Sequence, residues 1–388
     1  MHIDESFFAD PHGMYARLRA SRSVHRVTGP GGAAAWLVTR YPDVRAALQD
    51  PRLSTNAATS HGGDYQGLPL PPALRNDLLH LDPPDHTRLR RLVAPAFTRR
   101  AIEGLRPTVQ AHTDTLIDAV HPAGEADLLA ALALPLPLRV ICGLLGLPAS
   151  AGAQIASWTD ALLIPGRPHA ILDAMRQAEA QLRDVITHKR RHPADDLLST
   201  LIQARDADDR LTEDELVSLS FILLAAGHDT TASMVCNGIL ALLDPRMHWE
   251  RLLARPELLP TAIEELLRYE GPLPLAIRRF ATEDLELGGV RISAGDSVLL
   301  SLASANRDAA HFPCADDVVL DRTPNPHLSF GRGTHLCLGI PLARLQADVV
   351  FATLLRRTPK IELAVPASRL TWRPTHRTRR LESLPVTF

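Results

Sequence analysis

From residue 213 to residue 243 apolar residues follow one another with hardly a polar break, a pattern that predicts one long helix buried on most sides. Its interruption lies in the middle, at Ala225-Ala226-Gly227-His228-Asp229-Thr230-Thr231. Glycine inside a helix costs roughly 1 kcal/mol against alanine. Threonine can bond back to a carbonyl one turn earlier and bend the helix. An acid and an alcohol in a greasy helix carry a desolvation cost unless both find partners. A local opening of the helix is therefore expected here, because helix defects of this kind gather at functional sites.

The other periods are shorter. Leu338, Leu342, Leu345 and Val349 recur at intervals of three and four, one face of a helix, with Pro341 in the first turn where its missing N–H costs little. Residues 262–269 form a helix with Glu265 and Arg268 three apart, read alone as an exposed ion pair worth a few tenths of a kcal/mol. Asp82-Pro83-Pro84 starts a helix, which puts His86 and Arg90 on one face; read alone, that face is basic and solvated. Residues 24–39 read as two short strands around Gly29-Pro30-Gly31-Gly32, and residues 42–48 as a short helix. Residues 54–80 show no period, and such long irregular stretches are more often functional or mobile than structural. Between 101 and 190 helical patterns are broken at Pro122, Pro135, Pro148, Pro165 and Pro168. The expected fold is mainly α with a smaller β region, and no repeat or linker divides it.

Composition narrows the picture a little. The 388 residues are 45% hydrophobic and 22% charged, ordinary for a globular protein. A formal net charge of −2 predicts no general affinity for nucleic acid or anionic membrane. The N-terminal stretch shows no signal peptide pattern. The apolar runs at 128–148 and 216–243 are interrupted by prolines and polar residues, so no membrane span is expected. Four cysteines, at 142, 236, 314 and 337, show no metal or disulfide spacing and suit a reducing cytosol.

One of those cysteines carries candidate chemistry. Residues 330–339 read FGRGTHLCLG, with Cys337 at the mouth of the helix that follows. The positive end of a helix favours thiolate over thiol. Glycines let the backbone approach a large flat ligand, and a thiolate beneath a planar macrocycle is a ligand such a loop can supply. The competing reading is a buried structural cysteine in a turn.

Taken together, Phe330, Gly331, Gly333, His335, Cys337 and Gly339 resemble the haem-binding loop of the cytochrome P450 family, F-G-x-G-x-H-x-C-x-G. The resemblance extends over nearly the whole chain and implies a single P450 domain over residues 1–388. It implies haem b bound by Phe330, Gly331, Gly339 and Cys337, with the Cys337 sulfur as the axial iron ligand, and His86, Arg90, Arg279 and His335 at the propionates. Ala226, Gly227, Asp229 and Thr230 match A-G-x-[D/E]-T, which implies that Asp229 and Thr230 relay protons to dioxygen. Glu265 and Arg268 match E-x-x-R, a buried structural pair that Arg322 joins. Ile222, Ala226, Leu275, Ala276 and Ile277 would line the substrate pocket, and Trp158, Leu162, Leu163 and Ile164 would lid it.

One departure stands out. Relatives often carry apolar residues and an Arg-Gly at the C-terminal turn, where this chain reads Thr375-His376-Arg377-Thr378-Arg379-Arg380. Either His376 and Arg377 enter the pocket, favouring an oxygen-rich or anionic substrate, or the loop is solvated. The resemblance implies a soluble cytoplasmic monomer inserting one atom of O2 into a small secondary metabolite such as a polyketide or peptide. Electrons from NAD(P)H would arrive through a ferredoxin or flavodoxin and its reductase, docking on Arg88, Arg91, Arg99, Arg100, Arg332, Arg344, Arg356 and Arg357. The alternatives are the same haem diverted to aromatic radical coupling, nitration or peroxide-driven oxidation, and a catalytically silent recruitment domain.

Overall fold

A capping box begins the helix Glu213–Leu243: the Thr212 hydroxyl accepts from the Glu215 N–H at 3.1 Å, and the Glu215 carboxylate accepts from the Thr212 N–H at 2.8 Å. The computed structural model describes all residues except 30–31, 62–66, 68, 164–167 and 207–210. In it this helix is long and apolar enough to cross a membrane, but 78% of its most apolar window is buried inside the protein, so it is the central core helix. Around it pack helices Pro135–Leu144, Pro168–Arg191, Leu259–Tyr269 and Ile340–Arg357. The largest apolar cluster lies between them and includes Leu219, Ile239, Phe351 and Leu354.

The expected opening of this helix is not observed. Its backbone stays helical through residues 225–231, and Thr230 Oγ1 donates to the Ala226 carbonyl at 2.7 Å. The threonine satisfies itself on its own helix, which removes the need for a break.

A five-stranded sheet flanks the helical body in the order Val24–Thr28, Ala34–Val38, Ser297–Leu300, Arg279–Ala281 and Leu53–Ser54. The first two strands form an antiparallel hairpin, and the second runs parallel to the third. The turn residues Pro30 and Gly31 lie outside the described residues. Two smaller apolar clusters pack on this sheet, one through Val38, Val298 and Phe312, the other through Phe7, Tyr15 and Leu37. A smaller sheet joins Glu125–Asp127, Pro385–Thr387 and Glu362–Leu363. It leads the chain into a C-terminal hairpin closed by the Trp372–Leu381 bridge. Asn237 of the central helix donates to the Arg379 carbonyl at 2.8 Å, which fixes the hairpin against that helix.

Candidate active site

The loop 330–339 is shaped by its glycines. Gly331 and Gly333 hold φ of 69° and 75°, the left-handed region that side chains disfavour. A Cβ on Gly333 would also stand 2.8 Å from the Leu48 carbonyl oxygen, so the loop can lie this close to its neighbour only without a side chain there. Gly331 N–H donates to the Leu328 carbonyl at 2.8 Å, and Cys337 N–H to the Phe330 carbonyl at 3.0 Å. These bonds close the loop and present Cys337 just ahead of helix Ile340–Arg357. The Phe330 ring packs between His327 and the Arg344 guanidinium.

The Cys337 side chain is accessible to solvent. Its thiol is nonetheless pushed up by burial, against which the N–H groups of Gly339 and Ile340 and the charge of Arg90 act in the opposite direction. The helix terminus thus acts in the direction expected of it, toward the thiolate, and burial opposes it. Coordination to a metal deprotonates such a thiol outright.

Behind the loop lies a cluster of nitrogen donors short of acceptors. The rings of His86 and His335 are 4.4 Å apart. Both ring nitrogens of buried His86 lack a partner, as does Nη1 of buried Arg279. His335 Nδ1 lies 3.3 Å from the Leu78 carbonyl. Burial, with Arg279 and His86 adding to it, pushes His335 down to about 4. Burial likewise holds Arg279 down to about 10, with Asp82 opposing. Asp82 is committed to Ser54 and Thr55. Buried donors without acceptors are costly, so the cluster is built to receive anions from a ligand. Two carboxylates on the rim of a haem whose iron meets Cys337 would satisfy it, and the residues fit that group. Arg90 shares the helix Asp85–Val93 with His86, and its Nη2 donates to the Leu336 carbonyl at 2.7 Å, at the cysteine loop.

On the central helix Ala226 is exposed and Thr230 half-buried, so open space borders this side of the helix. Asp229 is buried and engaged by Arg380 at 3.1 Å, while its other oxygen has no partner. His228 Nδ1 lies 3.1 Å from Thr159 Oγ1, which ties the central helix to helix Gly152–Leu163. Ile277 and Ala276 are half-buried, the latter packed on the sheet's apolar cluster. Ile222 is core, only 8% exposed.

Leu275 is a correction. Its backbone bridges Ser301, and its side chain packs in the N-terminal cluster with Phe7, Phe8 and Tyr15 instead of facing the cavity. Of the expected lid residues, Trp158 is buried in the helical core and Leu162 is half-buried. Ile164 and the Leu163 side chain lie outside the described residues.

The basic C-terminal turn is not a solvated loop. Thr375, Thr378, Arg379 and Arg380 are buried. Arg379 pairs with Glu270 at 3.2 Å and lies 3.6 Å from the Trp372 ring centre. Arg377 donates to the Leu162 carbonyl near the end of helix Gly152–Leu163, a cation where helix carbonyls lack partners. Its guanidinium therefore meets protein. His376 stands near Phe8, and burial, then Arg377 and Arg278, push it down to about 3.

The Glu265–Arg268 pair is fully buried rather than exposed. Arg268 reaches both Glu265 oxygens at 2.7 Å and donates onward to the Asn306, Ala315 and Asp317 carbonyls. Arg322 joins at 2.9 Å. Every charge in this group is met, which a buried ion pair requires. It braces the segment leading to the cysteine loop.

Sequence reasoning missed the Arg380–Asp229 contact. The signal was present: a buried acid demands a partner, and an arginine stood where a glycine is usual.

A family model described as Cytochrome P450 matches residues 167–358. The chain is 43% identical over 99% of its length to the cytochrome P450 monooxygenase PikC of Streptomyces venezuelae, covering 92% of that protein. It is 42% identical to the mycinamicin IV hydroxylase/epoxidase of Micromonospora griseorubida, with 98% of both chains covered. The solved structure of the tirandamycin C-bound P450 monooxygenase TamI superposes with a TM-score of 0.94 at 46% identity, covering 100% of this chain and 99% of that one.

Proposed function

The chain belongs to the cytochrome P450 family, and we propose that it hydroxylates or epoxidises a polyketide-type secondary metabolite with electrons delivered by a ferredoxin. Its reaction class is that of a haem-dependent monooxygenase drawing electrons from NAD(P)H through redox partners. When bound, haem b would supply oxygen activation: O2, two electrons and two protons yield one oxygen atom for the substrate and one molecule of water. Cys337 would supply the thiolate to the iron, and His86, Arg90, His335 and Arg279 would hold the propionates. Thr230 keeps a hydroxyl proton at the cavity wall, and Asp229 connects that wall to the interior. Residues 1–388 work as one domain and as a monomer in the cytoplasm.

The observation that carries this reading is the pairing of the glycine-shaped Cys337 loop with buried His86 and Arg279 nitrogens that have no partner, beside His335 of the same loop. The substrate class rests on relatives named for mycinamicin IV and tirandamycin C. Reduced protein under carbon monoxide should show the red-shifted band of a thiolate-bound haem, and Cys337→Ser should lose it. An unchanged band in Cys337→Ser would remove the reading. Difference spectra across macrolides, tetramic acids, terpenes and fatty acids then test the substrate class: tight binding confined to terpenes or fatty acids would overturn it.

A further inference from the structure

Glu264 precedes Glu265 on the helix Leu259–Tyr269, but it serves the cysteine loop instead of the buried ion pair. Its carboxylate accepts from Arg344 Nε at 2.7 Å, from Arg344 Nη2 at 2.6 Å and from His327 Nε2 at 3.1 Å. The Ser329 N–H donates to His327 Nδ1 at 3.3 Å, which leaves Nε2 as the nitrogen that donates to Glu264. Against burial, which pushes it up, His327 and Arg344 pull the Glu264 carboxyl down to about 2, so it is ionised at neutral pH. The two side chains it gathers are the two neighbours of the Phe330 ring. The His327 ring centre lies 5.9 Å from that ring, and the Arg344 guanidinium 5.4 Å from its centre. The Phe330 carbonyl in turn accepts the Cys337 N–H at 3.0 Å. Asn306 and Leu267 already hold Leu328 and Ser329. What the carboxylate adds is therefore the placement of His327 and Arg344 around the ring.

We propose that Glu264 is a positioning residue for the thiolate centre: it clamps His327 and Arg344 on the Phe330 ring, and through that ring keeps the cysteine loop closed and the reduction potential of the bound haem low. The inference rests on the monooxygenase reading above. A ring gripped from two sides cannot slide, and its carbonyl ties Cys337 back onto the start of its own loop. Partners one step removed from a metal ligand orient that ligand and control solvent access to it. Reduction adds one electron, hence one negative charge, and makes or breaks no bond. Water admitted to the sulfur favours the added charge, because hydrogen bonding and burial at the ligand are levers on potential. A loosened clamp therefore raises the potential.

Two measurements on the substrate-free holoenzyme test this. Dye-mediated titration with dithionite reads the potential. Glu264→Gln leaves one acceptor oxygen where several donors converge, and should shift the balance toward reduced haem about threefold at fixed poise. His327→Leu replaces a neutral imidazole, one that accepts at Nδ1 and donates at Nε2, and should shift the balance in the same direction. In a Phe330→Leu background the Glu264→Gln shift should shrink to about half or less. An equal shift in both backgrounds would mean that the carboxylate acts through space by its charge alone, and would overturn the clamp. No shift in either background would overturn it too. Thermal unfolding gives the second readout: Glu264→Gln and Phe330→Leu together should lower the melting temperature by less than the sum of their separate effects. Strict additivity would show that the carboxylate does not act through the ring. The carbon monoxide band is recorded for every protein. Its absence from the wild type would remove the haem reading itself, whereas an intact band with an unshifted potential removes only the clamp.

Discussion

His86 and His335 face each other with ring centres 4.4 Å apart, one from the helix Asp85–Val93 and one from the cysteine loop. Arg279 enters from the sheet beside them. Two imidazoles and a guanidinium would not gather in a buried place for their own stability, since each disfavours protonation of the others. The cluster is organised for a ligand.

Replacing Arg279 by Met should accordingly act in opposite directions on two measurements. The haem-free protein should melt at a higher temperature, because a buried guanidinium short of acceptors has been removed. Haem transfer to an acceptor apoprotein should become about tenfold faster, on the order of 1.4 kcal/mol of lost affinity. A variant that loses stability in both forms would show that Arg279 is a structural residue.

Thr230→Ala should leave substrate binding intact and divert reducing equivalents to hydrogen peroxide. Thr230 is the cavity-wall hydroxyl next to Asp229, and its present bond to Ala226 is a single local contact that costs little to exchange. Product formed per NADPH should fall at least about fivefold, within the range that positioned proton donors contribute. Full coupling in this variant would remove Thr230 from proton delivery.

The cysteine loop was legible in the sequence because its geometry is local: Gly331 and Gly333 need left-handed backbone, and Cys337 sits at a helix mouth only residues away. The long helix was legible for the same reason, through its apolar run. What failed was long-range. Leu275 reads like any apolar pocket residue until its bridge to Ser301 fixes which way it packs. Arg380 reads like a tail cation until the Trp372–Leu381 bridge folds it back onto Asp229. Strand register and hairpin placement are set by contacts between distant segments, and no local pattern encodes them.

Electron transfer should depend on fewer cations than the sequence suggests. Arg88 pairs with Glu215 at 2.5 Å, Arg344 with Glu264 at 2.6 Å, and Arg357 with Asp114 at 3.1 Å. Arg91 is exposed on the helix Asp85–Val93, and Arg99 and Arg100 are exposed on the helix Arg99–Glu103, which packs beside Ile340–Arg357. Arg91→Glu with Arg99→Glu should raise the apparent KM for an acidic ferredoxin about threefold to tenfold and leave substrate binding unchanged. The wild-type reduction rate should fall as salt rises. A rate independent of salt would mean that docking is not steered by this charge.

The last prediction concerns His376, whose burial beside Arg377 and Arg278 pushes its imidazole down to about 3. In the unfolded chain the same group would take up a proton near pH 6.5. Above that pH it is neutral in both states and costs nothing. As pH falls from about 6.5 toward 3, the unfolded chain binds a proton that the folded protein refuses, so stability is lost across that window and levels off below it. His376→Phe keeps a ring against Phe8 and removes the titration. The melting temperature of the variant relative to wild type should therefore rise steadily as pH is lowered from 7 to about 4.5. Other buried histidines held low, His25 and His228 among them, contribute equally to both proteins and cancel in the difference. A difference that stays flat with pH would mean that His376 is free to charge in the folded state. The turn would then be open to water, contrary to its burial.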